Sequence, residues 1–206
     1  MRKAPVTCLV FATLLEAEPF IKGLSLYKVP AKPFPVYRAG GLVAVISGIG
    51  KANSAMAAAY ACMKFSPVSL VNLGAAGATS RALPLGANLH VGLAVEYDRP
   101  GLRSKAPHAH IPDIMEGFPL AAIATLDRPT LKAAERRRVA GKTQLADMEA
   151  AAFIQACRKF GKKCYVFKFV TDTPGHDSGS AIVANIKKFR GRFFSFFRDS
   201  VAHRLR

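Results

Sequence analysis

Four segments of this 206-residue chain carry residue types at spacings that could do chemistry. The first is Val170-Thr171-Asp172-Thr173-Pro174. Its Asp follows Phe167, Phe169 and Val170, so partial burial would raise its pKa and let it act as an acid near neutrality. It could equally close an Asx-type turn ahead of Pro174. The second is Asp147-Met148-Glu149-Ala150, where a helix is predicted to begin. Carboxylates at a helix N-terminus stabilise it by about 0.3–1 kcal/mol. That role accounts for Asp147 and less well for Glu149, since one carboxylate suffices. A Glu kept ionised by the helix dipole is also a good acceptor for paired sugar hydroxyls. The third is Gly48-Ile49-Gly50-Lys51, which follows a strand and opens a helix. Gly48 and Gly50 there let a ligand approach the backbone, or simply make a tight turn. The spacing is neither that of a P-loop nor that of a dinucleotide fingerprint. The fourth is Asn72-Leu73-Gly74-Ala75-Ala76-Gly77, read as a strand running into a Gly-rich turn. Ala75, Ala76 and Gly77 are small enough for a flat ring to lie on the backbone, or for a strand to pack closely on a helix.

Strands must carry these segments. Apolar and β-branched runs predict strands over 6–13, 68–73, 89–97, 120–125 and 164–170, and a hairpin from 36–38 and 42–47 around Gly40-Gly41. Helices are predicted over 52–65, 130–139, 147–160 and from 180 to the end. The third of these has an acidic first turn, a basic last turn and Gly161 as a stop. The second reads as a charged surface helix. Strands that alternate with helices and are apolar throughout predict an α/β fold: a three-layer α/β/α domain over 1–206 with a mixed, mostly parallel sheet. Ligands of such sheets bind beyond the carboxyl ends of the strands. Four loops are expected there: 13–18, 47–51, 74–78 and 171–178. Residues 99–118, with Pro, His and charged groups, are expected to form a surface loop near the site.

Composition bounds the remaining possibilities. Half the residues are apolar, which is globular composition. The net charge of +17 admits a polyanion partner, yet no nucleic-acid motif accompanies it, so no nucleic acid is expected. Phe189, Phe193, Phe194, Phe196 and Phe197 give the basic C-terminal helix an apolar side, which would dock on its own domain or touch a membrane surface. Cys8, Cys62, Cys157 and Cys164 have no metal-ligand or CxxC spacing, so buried thiols in a reducing, cytoplasmic setting are expected. No apolar run reaches the length of a membrane span. A basic start followed by 6–15 has the outline of a signal peptide. Glu16 and Glu18 stand where a small-residue cleavage site belongs, so a first buried strand is the preferred reading. His108-Ala109-His110 is expected to be a solvated loop rather than a metal site, and His176 could tune Asp172 or touch a ligand.

Taken together, the segments resemble one family. Thr13-Leu14-Leu15-Glu16-Ala17-Glu18, Ser47-Gly48-Ile49-Gly50-Lys51-Ala52-Asn53, Asn72 to Gly77, Asp147 to Ala150 and Thr171-Asp172 occur in the order found in the nucleoside phosphorylase/nucleosidase superfamily. Within it they resemble the 5′-methylthioadenosine/S-adenosylhomocysteine nucleosidase branch. The resemblance implies hydrolysis of the N-glycosidic bond of a purine nucleoside with a modified 5′ position, with no metal or cofactor. Asp172 then matches the aspartate that protonates the purine at N7. Glu149 matches the glutamate that binds the ribose hydroxyls, and Met148 the methionine packed on the sugar. Glu16 matches the glutamate that activates the attacking water. Lys168 falls where an arginine helps position that water, with the charge kept and the planar fork lost. Ala76 and Gly77 would line the base and sugar region. A homodimer or larger homo-oligomer is implied as well.

Departures from the family pattern bear on the substrate. Ala75 stands where hydrolytic members carry a serine that helps hold the water. Asp147 replaces a glutamate. Thr125-Leu126-Asp127-Arg128-Pro129 stands where a Phe-containing loop would stack on adenine. These features resemble the branch of hopanoid-associated nucleoside-cleaving enzymes. Phosphorylases of the superfamily present a Gly-Asp-Pro-type loop and arginines to phosphate. The first loop here has Glu16 instead, which favours water, with Arg81, Arg99 and Arg128 as candidate phosphate ligands. A phosphorylase and a non-catalytic nucleoside- or anion-binding protein are the competing readings.

Overall fold

The computed structural model describes residues 5–99, 107–176 and 178–205. The first half contains β1 (Thr7–Phe11), α1 (Leu14–Gly23), β2 (Tyr27–Val29), β3 (Val36–Ala39), β4 (Leu42–Ile46), α2 (Lys51–Phe65), β5 (Ser69–Ala78) and β6 (Asn88–Glu96). The second contains β7 (His108–His110), β8 (Leu120–Thr125), α3 (Ala133–Ala140), β9 (Leu145–Asp147), α4 (Ala150–Lys159), β10 (Lys163–Asp172) and α5 (Gly179–Phe196). A π-helical turn over Phe197–Val201 and a 3-10 turn over Ala202–Arg204 extend α5.

The strands join one sheet, and its two faces are built by the period-2 alternation of side chains. Along β1, Cys8 and Val10 face a core shared with Ala57, Ala58 and Ala61 of α2 and Phe153 and Ile154 of α4. Leu9 and Phe11 face a second core with Phe20 of α1 and Phe189 and Phe193 of α5. The helices therefore cover both faces. β1 lies between β4 and β5, which makes it a central buried strand, as the strand reading of the N-terminal run expected. Phe20 touches the rings of Phe193, Phe194 and Phe197, so the aromatic side of α5 docks on its own sheet.

The expectation of a mostly parallel sheet is corrected. Five strand pairings are parallel and five antiparallel. The cause is the length of β5. It pairs with β1 only over its first four residues, and beyond them it takes β9 as an antiparallel partner at Gly77 and Ala78. β10 runs beside it for the whole distance and carries β6 on its other edge. Since β6 pairs with β8 and β8 with β9, the strands β5, β10, β6, β8 and β9 close into a ring.

Four local expectations change for the same kind of reason. Gly74 to Ala78 is not a Gly-rich loop but the second half of β5, hydrogen-bonded beside β10 from Lys168 to Asp172. Residues 13–18 are not a loop either: Thr13 and Glu16 form a reciprocal capping box, so α1 starts immediately. Asp147 is not helical, because pairing with Thr125 makes it the last residue of β9, and α4 starts only at Ala150. His108 and His110 lie in β7, which pairs with β6, instead of a solvated loop. Residues 100–106 of the expected 99–118 loop lie outside the described residues. Among the described residues, no helix is long and apolar enough to cross a membrane.

Candidate active site

A cavity of about 240 Å³ opens where β1, β4, β5, β9 and β10 end, as the rule for carboxyl ends of strands requires. That volume is at the small end for ligand sites. Three carboxylates reach it from three separate segments: Glu16 on α1, Glu149 just ahead of α4, and Asp172 at the end of β10. All three are buried.

Glu16 is held by backbone. Its Oε2 accepts from the Thr13 amide at 2.9 Å and the Thr13 hydroxyl at 2.7 Å, and its Oε1 accepts from the Ala75 amide at 2.8 Å. A Cβ on Gly74 would stand 2.7 Å from Oε1, so this contact needs glycine there. Each carboxylate oxygen has two acceptor sites, which leaves Oε1 one free for a ligand or a water.

Asp147 and Glu149 divide the two jobs left open by their spacing. Asp147 Oδ2 accepts from the Ala150 amide at 2.9 Å and its Oδ1 from the Thr125 hydroxyl at 2.7 Å, so Asp147 caps α4. Lys168 lies 2.9 Å from that same Oδ2. Glu149 is thereby released from capping: its Oε1 accepts from the Gly50 amide at 3.0 Å, and its Oε2 is 3.9 Å from Lys168 Nζ. Burial pushes the Glu149 carboxyl up to about 7, against the pull of Lys168 and with the help of the Asp147 charge. For Lys168, burial opposes the charged form, yet Asp147 and Glu149 outweigh it and hold the ammonium above the usual lysine value.

Asp172 owes its position to a β-bulge. The register against β5 shifts between Val170 and Asp172, so Asp172 stands opposite Gly77 and both Thr171 and Asp172 line the cavity. The Thr171 hydroxyl donates to Asp172 Oδ1 at 2.7 Å. Arg136 Nη2 donates to Asp172 Oδ2 in a buried ion pair. Arg136 Nη1 donates to the Ala78 carbonyl at 2.8 Å. A Cβ on Gly77 would fall 2.5 Å from Asp172 Oδ2 and 3.0 Å from Arg136 Nη1, so glycine is needed here too.

Most of the residues singled out in the sequence converge. Glu16, Ala75, Ala76, Gly77, Asp147, Met148, Glu149, Thr171 and Asp172 line the cavity. Lys168, Gly48 and Gly50 do not. Lys168 stands behind Asp147 and Glu149, and Gly50 acts through its amide on Glu149. Gly48 and Gly50 have positive φ of 86° and 106°, so they shape the turn in front of α2. His176 contacts Thr173, with its Nδ1 3.2 Å from that amide, and no hydrogen bond joins its ring to Asp172. Arg99 and Arg128 pair with Glu96 and Glu135, and with Arg81 they stay outside the cavity lining.

Arg136 is the functional residue that the sequence reading missed. Within Glu135-Arg136-Arg137-Arg138 it looked like one more surface cation. It is 1% exposed and shares its buried helix face with Val139, three residues on, while Arg137 and Arg138 face solvent. That spacing, together with a buried Asp lacking a counter-charge, was the available signal. Pro129, Thr130 and Leu131, beside the departed aromatic loop, and Ile182 and Ile186 on one side of α5 supply further wall.

Comparisons with known proteins agree with this geometry. The phosphorylase superfamily model matches residues 9–91 and 115–202. No curated protein matches the chain in sequence. Among solved structures, a futalosine hydrolase mutant of Helicobacter pylori superposes with a TM-score of 0.85 at 16% identity, over 97% of this chain and 100% of that one. The 5′-methylthioadenosine/S-adenosylhomocysteine nucleosidase of Helicobacter pylori with butyl-thio-DADMe-Immucillin-A gives 0.86 at 16%, over 98% and 100%. The 5′-methylthioadenosine nucleosidase of Arabidopsis thaliana in apo form gives 0.85 at 16%, over 96% and 95%. At such identity these likenesses speak to the fold.

Proposed function

We propose, from the premise that the chain belongs to the phosphorylase superfamily, that it is an N-ribosyl hydrolase acting on a purine nucleoside with a modified 5′ position. One observation carries the reading: Glu16, Glu149 and Asp172 converge on one small cavity, each held by its own donors. The superfamily's solved nucleosidases and futalosine hydrolase share the fold and support the reaction class.

The chemistry follows from the placement. Asp172, at the Gly77 end of β5, donates a proton to N7 as the C1′–N9 bond breaks and its electron pair stays on the base. Glu16 is anchored on Ala75, two residues along the same strand, roughly 7 Å away. From there it takes the proton of the water whose oxygen bonds to C1′. Glu149 accepts from the ribose hydroxyls and, when ionised, stabilises the oxocarbenium-like transition state. Met148 packs on the sugar, and Leu131, Ile182 and Ile186 offer an apolar wall to a modified 5′ group. Lys168 holds Asp147 and Glu149 from behind.

Water is preferred to phosphate because of charge. Among the described residues that line the cavity, Arg136 alone is cationic, and it is engaged by Asp172 at the base end. Nothing cationic lines the Glu16 end, where a phosphate would have to sit beside a carboxylate. The chain is read as one domain over 1–206, a homodimer or larger homo-oligomer, and a cytoplasmic enzyme. The test is a nucleoside panel of methylthioadenosine, adenosylhomocysteine, futalosine and inosine, followed for free base with and without phosphate. Release without phosphate is expected. Strict dependence on phosphate overturns hydrolysis, and binding without release favours a non-catalytic family member.

A further inference from the structure

Arg136 is not explained by hydrolysis. It comes from α3, an element outside the motifs that resemble the family, and it is buried against the proposed acid. It also lines the cavity. Its Nη1 and Nη2 are used by the Ala78 carbonyl and Asp172, but its Nε is buried without an acceptor among the described residues. A buried donor left unmade costs free energy, so a site that keeps one is incomplete without an acceptor from outside.

We infer that Arg136 selects the base, and that the preferred substrates are 6-oxopurine nucleosides of the hypoxanthine or guanine type rather than adenine nucleosides. The inference rests on the reading of Asp172 as the group at N7. On a purine, N7 and the 6-substituent lie side by side on one edge. A group paired with Asp172 therefore stands beside the 6-position when Asp172 stands at N7. Arginine can only donate. A 6-oxo group accepts, and the paired presentation of N7 and O6 is the edge that guanidinium reads in nucleic acids. A 6-amino group presents N–H to N–H and leaves the Arg136 donor unmet. The reaction sharpens the preference. As C1′–N9 breaks, the electron pair left on the base spreads onto O6, where a buried cation stabilises it more than in the ground state. Gly77 makes the arrangement possible, since a Cβ there would collide with both Asp172 and Arg136.

The test uses matched pairs that differ only at the 6-position. Calorimetry measures hypoxanthine against adenine as free bases. Base release compares inosine with adenosine, and 5′-methylthioinosine with 5′-methylthioadenosine. The wild-type protein is expected to favour the 6-oxo member by about 10- to 100-fold, the range of a hydrogen bond to a charged group. Arg136→Met, similar in length and without donors, should bring each ratio to within about 3-fold. Arg136→Lys, which keeps the charge and loses the fork, should retain only part of it. The Lys variant also covers the case in which the Met variant does not fold. Equal or better use of adenine by the wild type overturns the inference, as does full discrimination in either folded variant. The two readings fail differently. Release of base at equal rates from matched pairs keeps the hydrolase and removes base selection by Arg136. No release from any nucleoside, with hypoxanthine still bound more tightly than adenine in an Arg136-dependent way, removes the hydrolase and keeps the selection.

Discussion

Replacing Glu149 by Gln should make the protein's stability less sensitive to pH. Burial lifts the Glu149 carboxyl from 4.5 to about 7. Between these values the folded protein holds a proton that the unfolded chain has released, so stability falls as pH rises through the window and levels off above about 7. At about 1.4 kcal/mol per pKa unit, the full drop is about 3 kcal/mol. Glutamine keeps the shape and an acceptor for the Gly50 amide but cannot titrate. Lys168 keeps its contact with Asp147 in the variant. Urea unfolding at pH 5, 6, 7 and 8 gives the unfolding free energy of each protein, and other titrating groups cancel in the difference. Wild type minus Glu149→Gln should decrease by about 2–3 kcal/mol from pH 5 to pH 8. A flat difference, or one that rises with pH, refutes the argument. Activity should move the other way. The ionised carboxylate is the form that accepts from both ribose hydroxyls, so kcat/KM should rise through pH 7 in the wild type and lose that limb in the variant. Stability is thus lowest where the sugar-binding form is populated, an exchange typical of functional sites.

Three further outcomes are expected. Asp172→Asn should lower base release by about 10²- to 10⁴-fold while circular dichroism stays as in the wild type, and turnover within a few-fold of normal would remove Asp172 as the acid. Gly77→Ala should drive Asp172 and Arg136 away from β5, with a loss of turnover and about 1–3 kcal/mol of stability by denaturant melt; a variant that melts and turns over normally would mean that the close approach does not matter. Phe193→Ala should cost about 3–5 kcal/mol, because its ring is buried between Phe20 and Phe169; a change under about 1 kcal/mol would show that α5 is not docked as described.

The sequence carried the element types well and their joins poorly. The strand 120–125 and the hairpin around Gly40-Gly41 appear where alternation and turn chemistry put them. Periodicity could not show that Gly74 to Gly77 continues a strand, because residues without side-chain bulk give no alternation to read. The strand is instead established by β10, a partner almost a hundred residues away. The same limit hid the start of α4: Asp147 has the type and place of a helix-start acid and does cap the helix, but from the end of a strand. The site residues were legible because a carboxylate near glycine is rare in an apolar context. Arg136 was not, since a run of cations on a polar helix looks the same whether one of them turns inward or none does. Its burial depends on α3 meeting the Gly77 end of β5, a tertiary fact with no local trace.

Backbone amides do most of the holding in this site, and that bears on the departures from the family pattern. The Ala75 amide holds Glu16, the Gly50 amide holds Glu149, and the Ala150 amide holds Asp147. Amides are supplied whatever the side chain, provided the backbone path is kept. Losing a serine at position 75 therefore removes one hydroxyl near the water without freeing Glu16, whose orientation depends on β5 and on the Thr13 cap. The positions that cannot vary are those where side-chain bulk would block the approach, namely Gly74 under Glu16 and Gly77 under Asp172. Base selection lies elsewhere. It falls to a side chain on α3, an element whose only tie to Asp172 is the Arg136 ion pair, so the base can change while the acid, the sugar ligand and the water-activating carboxylate stay in place.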